Sequence, residues 1–188
     1  MEITRKQEII QTAAELFKEK GYSAVTMRDL AASMGIKAAS LYNHISSKQH
    51  ILRDIIISIA EEFTEGMNLI QSSDNSTIDK LKDIITLHVD ITSRNTSGMA
   101  SLNNDWMHLE EQLDYYLELR NNYEDNFRDI IKKGIELGDL KNENPDTILF
   151  SILTTLRSLY LWIPKKEDLN PKELAQSLSQ ILISGVNK

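Results

Sequence analysis

The residues with the most suggestive chemistry lie between positions 37 and 44 of the chain. Ser, Tyr, Asn and His side chains can donate to or accept from base edges in the major groove of DNA, and small residues let a helix backbone approach those edges closely. Short or polar residues of this segment are Lys37, Ala38, Ser40, Tyr42, Asn43 and His44. This combination indicates recognition of duplex DNA.

Two short predicted helices position these side chains. Thr26 is a suitable N-cap for the first helix, and Gly35, which adopts a left-handed conformation without steric cost, joins it to the second. Apolar residues of both helices face inward, as in a helix-turn-helix, which we predict over about residues 26–45. Thr26 and Lys48 flank this unit at helix N-termini, where backbone N–H groups and a cation can bind phosphates.

Catalytic and metal-binding patterns are missing from the sequence. There is no cysteine, no phosphate-binding glycine loop, no Gly-x-Ser-x-Gly elbow and no His-Glu-x-x-His motif. The four histidines at 44, 50, 88 and 108 share no metal-ligand spacing. We therefore predict a protein that is not an enzyme and has no metal site and no cofactor.

The net charge of −7 at first opposes nucleic-acid binding, but the charge is unevenly distributed. Residues 1–50 carry seven basic and five acidic side chains, and the other 14 basic and 23 acidic residues follow in 51–188. A net charge of +2 thus precedes one of −9. Because physiological salt screens charges beyond roughly 8–10 Å, a basic N-terminal part of an otherwise acidic chain can still bind phosphates.

The low content of glycine and proline predicts an all-α fold. Only 7 Gly and 3 Pro occur among 188 residues, and apolar residues recur with helical spacing almost throughout. We expect about nine helices, with an N-terminal three-helix DNA-binding domain over 1–47 and a larger helical domain over 48–188. No charged-then-apolar leader and no uninterrupted 18-residue apolar run is present, which predicts a cytoplasmic protein without a membrane partner.

Residues 4–55 resemble the DNA-binding domain of the TetR family of transcriptional regulators. The matching segments are Ala14-Glu15-Leu16-Phe17, Gly21-Tyr22, Val25-Thr26-Met27-Arg28-Asp29-Leu30-Ala31, Met34-Gly35-Ile36, Ser40-Leu41-Tyr42-Asn43-His44 and Ser47-Lys48. Ala39, where the family often has Gly, and Ile45, where it often has Phe, depart from the pattern.

The resemblance implies a homodimer that binds palindromic operator DNA and responds to a small-molecule effector. The six residues from Lys37 to His44 named above would face the groove, and Thr26, Arg28 and Lys48 would hold the DNA backbone. The alternative is a small-molecule-binding or protein-interaction module with a vestigial DNA-binding head. Salt-sensitive binding to duplex DNA distinguishes the two.

By the same resemblance, the C-terminal part holds an effector pocket and the dimer interface. Segments between 104 and 140 distantly resemble members that sense acyl-CoA thioesters or other lipid-like compounds. The candidate pocket residues, for which plain core is the alternative, are Phe63, Met67, His88, Ile91, Met99, Leu102, Trp106, Met107, Tyr115, Tyr116, Tyr123, Phe127 and Tyr160.

The last two helices carry the candidate dimer interface. The first of them has apolar residues on more than one face, so one face needs a partner beyond the core. A fully buried core helix is the alternative. The candidate interface residues are Leu149, Ile152, Leu156, Leu159, Leu174, Leu178, Ile181 and Leu182.

Overall fold

The computed structural model describes residues 4–185 and is helical, with no strand among these residues. Its helices are α1 (Arg5–Lys20), α2 (Met27–Ser33), α3 (Ala38–Leu41), α4 (Lys48–Ser72), α5 (Thr77–Arg94), α6 (Thr96–Asn104), α7 (Leu113–Glu136), α8 (Pro145–Lys165) and α9 (Pro171–Ser179). Within α8, the α-helical stretches Pro145–Arg157 and Leu159–Trp162 are followed by a 3₁₀ turn. A π-helical turn, Gln180–Ser184, follows α9. The predicted all-α fold of about nine helices is confirmed over the described part of the chain.

Helix starts follow from local side-chain chemistry. Thr4 and Thr26 each form a capping box, with Gln7 and Asp29 respectively. Asn144 and Asn170 each accept backbone N–H bonds ahead of a proline in the first turn. Because such caps satisfy orphan donors and contribute about 1 kcal/mol each, these starts could be predicted without tertiary information.

The chain forms two compact units, one of residues 1–60 with 97–117 and one of 61–96 with 118–188. Helices α4 and α7 each contribute to both units. The units therefore divide the chain differently from the predicted domains 1–47 and 48–188. A DNA-binding domain limited to 1–47 stays a prediction.

The first unit has its core where α1, α2 and α3 meet. Ile9, Leu30 and Leu41 are almost completely buried there. Ala31 is also buried, and its small side chain allows α2 and α3 to cross closely. Gly35 has a φ of 66°, as predicted for the turn that joins these two helices.

The second unit is built around α5. Leu81, Ile84 and Ile85 of this helix are buried, as are Phe127 of α7 and Leu156 of α8. Helices α8 and α9 both pack against α5. These contacts enclose the apolar faces that the sequence periodicity predicted.

Within the described residues, one helix, α8, is long and apolar enough to cross a membrane. Apolar core helices of soluble proteins meet the same criterion. Leu156 lies in the core, and Arg157 donates to Glu124 of α7 over 2.6 Å, within the second unit. Packing within this unit thus accounts for one apolar face of α8.

Candidate DNA-binding surface and effector site

The predicted groove-facing residues lie on α3 and directly before and after it, at the surface of the first unit. Lys37, Asn43 and His44 are exposed, as is Tyr42, at 55%. Ala38 and Ser40 are half-buried. Leu41 is fully buried and fixes which face of the helix points inward. The polar residues thus form one exposed surface next to a well-anchored core position.

Ala39 belongs to this surface although it was not among the predicted groove residues. It is exposed, whereas Ala38 before it is half-buried. The helical period explains the difference, since position 38 lies one turn before the buried Leu41 and position 39 lies on the opposite side. The position of Leu41 was therefore the signal that could have identified Ala39.

At the start of α2, Thr26 and Arg28 are both exposed. The Thr26 hydroxyl donates to the Asp29 carboxylate over 2.6 Å, and the Thr26 backbone N–H donates to the same oxygen over 2.8 Å. These bonds from Thr26 lower the pKa of Asp29, which holds a negative charge at this helix end. Arg28 is consequently better placed than Thr26 to contact a phosphate.

The side chain of Lys48, predicted to contact a phosphate, is hydrogen-bonded to backbone carbonyls of the first unit. Its Nζ donates to the carbonyl oxygens of Tyr22 and Val25 over 2.9 and 2.8 Å, and it lies 4.2 Å from the centre of the Tyr22 ring. Burial lowers the pKa of this half-buried ammonium group. Two of its three N–H donors therefore attach the start of α4 to the turn that precedes α2, which leaves one for a phosphate.

The segment between α6 and α7 also contacts the helix-turn-helix within the first unit. The His108 ring stacks on Tyr22 with centres 5.2 Å apart, and Gln49 Nε2 donates to the His108 carbonyl over 2.7 Å. Burial, together with the carboxylates of Glu110 and Asp105, raises the pKa of Tyr22. Sequence reasoning missed this contact, because the partners are 59 or more residues apart and no local pattern joins them.

Most predicted effector-site residues of the second unit are in its core. His88 Nε2 lies 2.9 Å from the Tyr123 hydroxyl, and the Phe63 ring lies 4.5 Å from the imidazole, centre to centre. The buried members of the predicted set in this unit are Phe63, Met67, His88, Ile91, Tyr123, Phe127 and Tyr160. They include both apolar and hydrogen-bonding groups.

The other predicted effector-site residues belong to the first unit. Met99 and Tyr116 are buried there, and Leu102 and Trp106 are half-buried. Trp106 stacks on Tyr116 with centres 5.9 Å apart. Met107 and Tyr115 are exposed, at 57% and 40%, so their side chains lie at the surface of this unit. Their assignment to an effector site stays a prediction.

The predicted interface residues differ in burial. Leu149, Ile152, Leu156 and Leu159 of α8 are buried within the second unit, and their assignment to a dimer interface stays a prediction. The sequence showed apolar residues on two faces of α8 but not which face the core would cover. On α9 and the turn after it, Leu174, Leu178 and Leu182 are half-buried and Ile181 is 46% exposed.

The exposed apolar residues of α8 are different ones. Phe150 is 67% exposed, Leu161 54% and Trp162 42%. Phe150 and Leu161 are eleven residues apart, which places them about three turns apart on one face. On the turn after α9, Ile181 is a further exposed apolar residue.

Two grooves open on the second unit, and no metal cluster accompanies them. One of about 740 Å³ runs between α5 and α9, and one of about 440 Å³ lies beside the α4–α5 loop and α7. No group of three or more His, Asp or Glu side chains able to hold a metal ion is found between residues 4 and 185. Neither groove contains the predicted effector-site residues.

Comparison with known proteins gives matches along both parts of the chain. Residues 9–55 match the family model described as bacterial regulatory proteins, tetR family, and residues 74–186 match the tetracyclin repressor-like C-terminal domain. The HTH-type transcriptional repressor KstR2 of Rhodococcus jostii is 25% identical over 151 residues, which are 79% of this chain and 74% of that protein. The regulator IcaR of Staphylococcus aureus is 38% identical over 76 residues, 40% of this chain and 41% of IcaR.

Solved structures show the same fold. The ketosteroid transcriptional regulator KstR2 of Mycobacterium tuberculosis matches with a TM-score of 0.90 and 21% identity, over 100% of this chain and 97% of that chain. PfmR of Thermus thermophilus matches with a TM-score of 0.82 and 24% identity, over 96% and 99% respectively. These relatives are transcriptional regulators rather than enzymes. With both its N-terminal and its C-terminal parts matched, the chain belongs to the TetR family of DNA-binding transcriptional regulators.

Proposed function

We propose that this protein is a homodimeric repressor that binds a near-palindromic operator and is released by a small, largely apolar effector. The observation that carries the proposal is the exposed surface of α3, where Lys37, Tyr42, Asn43 and His44 surround an anchored helix. A dimer places two such helices in successive major grooves, so the half-sites should lie about one helical turn apart or slightly more.

Repression and an apolar effector are supported by the relatives. KstR2 is named a transcriptional repressor and IcaR a negative transcriptional regulator. The KstR2 of M. tuberculosis is described as a ketosteroid regulator. The mostly apolar buried residues around Phe63, Met67 and Phe127 in the second unit support a lipid-like effector.

Helix α4 supplies a physical route for the response. Its first part, from Lys48, belongs to the first unit, and its second part, with Phe63 and Met67, belongs to the second. An effector that displaces Phe63 or Met67 moves a helix whose beginning is bonded through Lys48 to the turn that precedes α2. The effector acts only through its different affinities for the two arrangements.

The test is selection of bound sequences from a random duplex pool at two salt concentrations. Enrichment of an inverted repeat, weakened at the higher salt, is the expected result because phosphate contacts release counterions. Failure to enrich any sequence at either salt would contradict the proposal and favour the module with a vestigial DNA-binding head.

The role of α3 is then tested with Tyr42→Ala on the selected operator. We expect about tenfold weaker binding, since loss of a base or phosphate contact typically costs 1–3 kcal/mol. Leu69→Ala, which removes an exposed side chain of the second unit outside every candidate site, is the control. Equal operator affinity of the two variants would show that α3 does not read the DNA.

A further inference from the structure

The core of the second unit contains a polar cluster on one face of α5. His88 and Thr92, one helical turn apart, are 3% and 0% exposed. The imidazole Nε2 of His88 is hydrogen-bonded to the Tyr123 hydroxyl over 2.9 Å. The Phe63 ring covers this pair, 4.5 Å from His88 and 5.8 Å from Tyr123 between ring centres.

Two polar atoms of the cluster have no hydrogen-bond partner among the described residues. They are His88 Nδ1 and Thr92 Oγ1. In either tautomer of a neutral imidazole, the bond between Nε2 and Tyr123 leaves one function of the ring, a donor or an acceptor, unused. Buried polar groups are nearly always paired, so two unpaired atoms one turn apart require an explanation.

The hydroxyl of Thr92 differs from other threonine hydroxyls of the same fold. Thr12, Thr86 and Thr155 each donate to the carbonyl oxygen four residues earlier in their helix, over 2.9, 2.9 and 3.1 Å. Thr92 makes no such bond although its backbone is equally helical. Its hydroxyl is therefore not committed to the backbone of its own helix.

The charge state of the cluster limits which group this is. Burial, together with the cation of Arg157, lowers the pKa of His88 to about 3, so the imidazole is neutral at physiological pH. Burial also raises the pKa of Tyr123, which keeps the phenol neutral. Arg157 itself is paired with Glu124 over 2.6 Å. A ligand charge buried at His88 would have no uncommitted counter-charge in this cluster.

We propose that His88 and Thr92 bind the polar end of the effector, and that this end is an uncharged hydroxyl or carbonyl group on an apolar frame. The inference rests on the proposed function and names the chemistry of its effector. A carboxylate or an ammonium group at the same end is excluded by the cost of burying a charge beside neutral partners.

The test uses small soluble probes and protein labelled with ¹⁵N-histidine. The Nδ1 resonance of His88, identified by its loss in His88→Gln, is followed during titration with cyclohexanone, cyclohexanol and cyclohexanecarboxylate. We expect the ketone or the alcohol to shift this resonance to saturation and the carboxylate to leave it unchanged. A shift by the carboxylate, or by none of the probes, would overturn the proposal.

Thr92→Val then separates binding from a structural role. This isosteric change removes an unpaired hydroxyl, so we expect no loss of melting temperature but about threefold to tenfold weaker binding of the active probe. Thr86→Val, on the exposed side of the same helix, should not alter binding. Equal affinity in both variants would refute the role of Thr92. Operator enrichment without a shift at His88 would refute this inference alone, whereas a shift without enrichment would refute the regulator proposal.

Discussion

A histidine buried without charge makes the stability of a protein depend on pH. In the unfolded chain, His88 takes up a proton as the pH falls through its usual pKa of about 6.5, whereas in the folded chain burial lowers that pKa to about 3. Between these values the unfolded state binds the extra proton. The neutral imidazole therefore favours the folded state above about pH 6.5, and this advantage is lost as the pH falls.

We expect His88→Gln to flatten this dependence. Between pH 7 and pH 5, the free energy of unfolding of the wild type should fall by about 2 kcal/mol more than that of the variant, from the linkage of one proton. Urea unfolding at pH 5, 6 and 7 measures the difference. His50→Gln, which changes an exposed histidine, is the control and should retain the steep dependence. Parallel curves for all three proteins would show that His88 carries no such linkage.

At the candidate DNA-binding surface, the exposure of a side chain could be predicted where a buried apolar residue fixes the orientation of the helix. Leu41 gave such an anchor, and Tyr42 and Asn43 are exposed as their spacing from it requires. Lys48 could not be placed in this way. Its partners are backbone carbonyls at Tyr22 and Val25, which carry no side-chain signature in a sequence.

At the scale of the elements, helix starts were predictable and the segment between α6 and α7 was not. Apolar residues recur with helical spacing almost throughout the sequence, whereas here α6 ends at Asn104 and two 3₁₀ turns, Trp106–His108 and Glu110–Gln112, precede α7. Glu110 has a φ of 47°, a left-handed conformation that a non-glycine residue adopts at a cost. Tertiary contacts of neighbours such as His108 stabilise this irregular path, and these are invisible to local propensity.

The contact of this segment with the helix-turn-helix predicts a role for the His108 ring. His108→Ala removes the stack on Tyr22, so the first unit should lose about 1 kcal/mol of stability. It should also bind the operator a few times more weakly, because Tyr22 is part of the turn that Lys48 holds. Urea unfolding and operator titration measure the two effects, with the exposed His50→Ala as control. Equal stability and equal operator affinity of the two variants would show that the stack of His108 on Tyr22 contributes neither to the stability of the first unit nor to DNA binding.

For the whole molecule, the division of charge and the exposed apolar face of α8 both favour the proposed homodimer. The acidic C-terminal part adds nothing to phosphate binding, so in the proposed homodimer the affinity for an operator would come from two N-terminal DNA-binding parts acting together. Which apolar residues of α8 stay exposed was not predictable, since two apolar stripes on one helix are equivalent until the core covers one of them. The core covers Leu149 and Ile152 and leaves Phe150 and Leu161 exposed.

The last prediction concerns dimerisation through this face. Phe150→Asp with Leu161→Asp should give monomers, because two buried carboxylates from each chain would oppose an apolar contact of the usual several hundred Å² per partner. Leu137→Asp, at another exposed leucine of the second unit, is the matched control and should remain dimeric. Sedimentation should report 21.5 kDa for the double variant and twice that mass for the control. Operator affinity of the double variant should fall by at least about 100-fold, since the second half-site no longer binds as part of the same particle. A double variant that sediments as a dimer would place the interface elsewhere, and a monomeric wild type would contradict the homodimer itself.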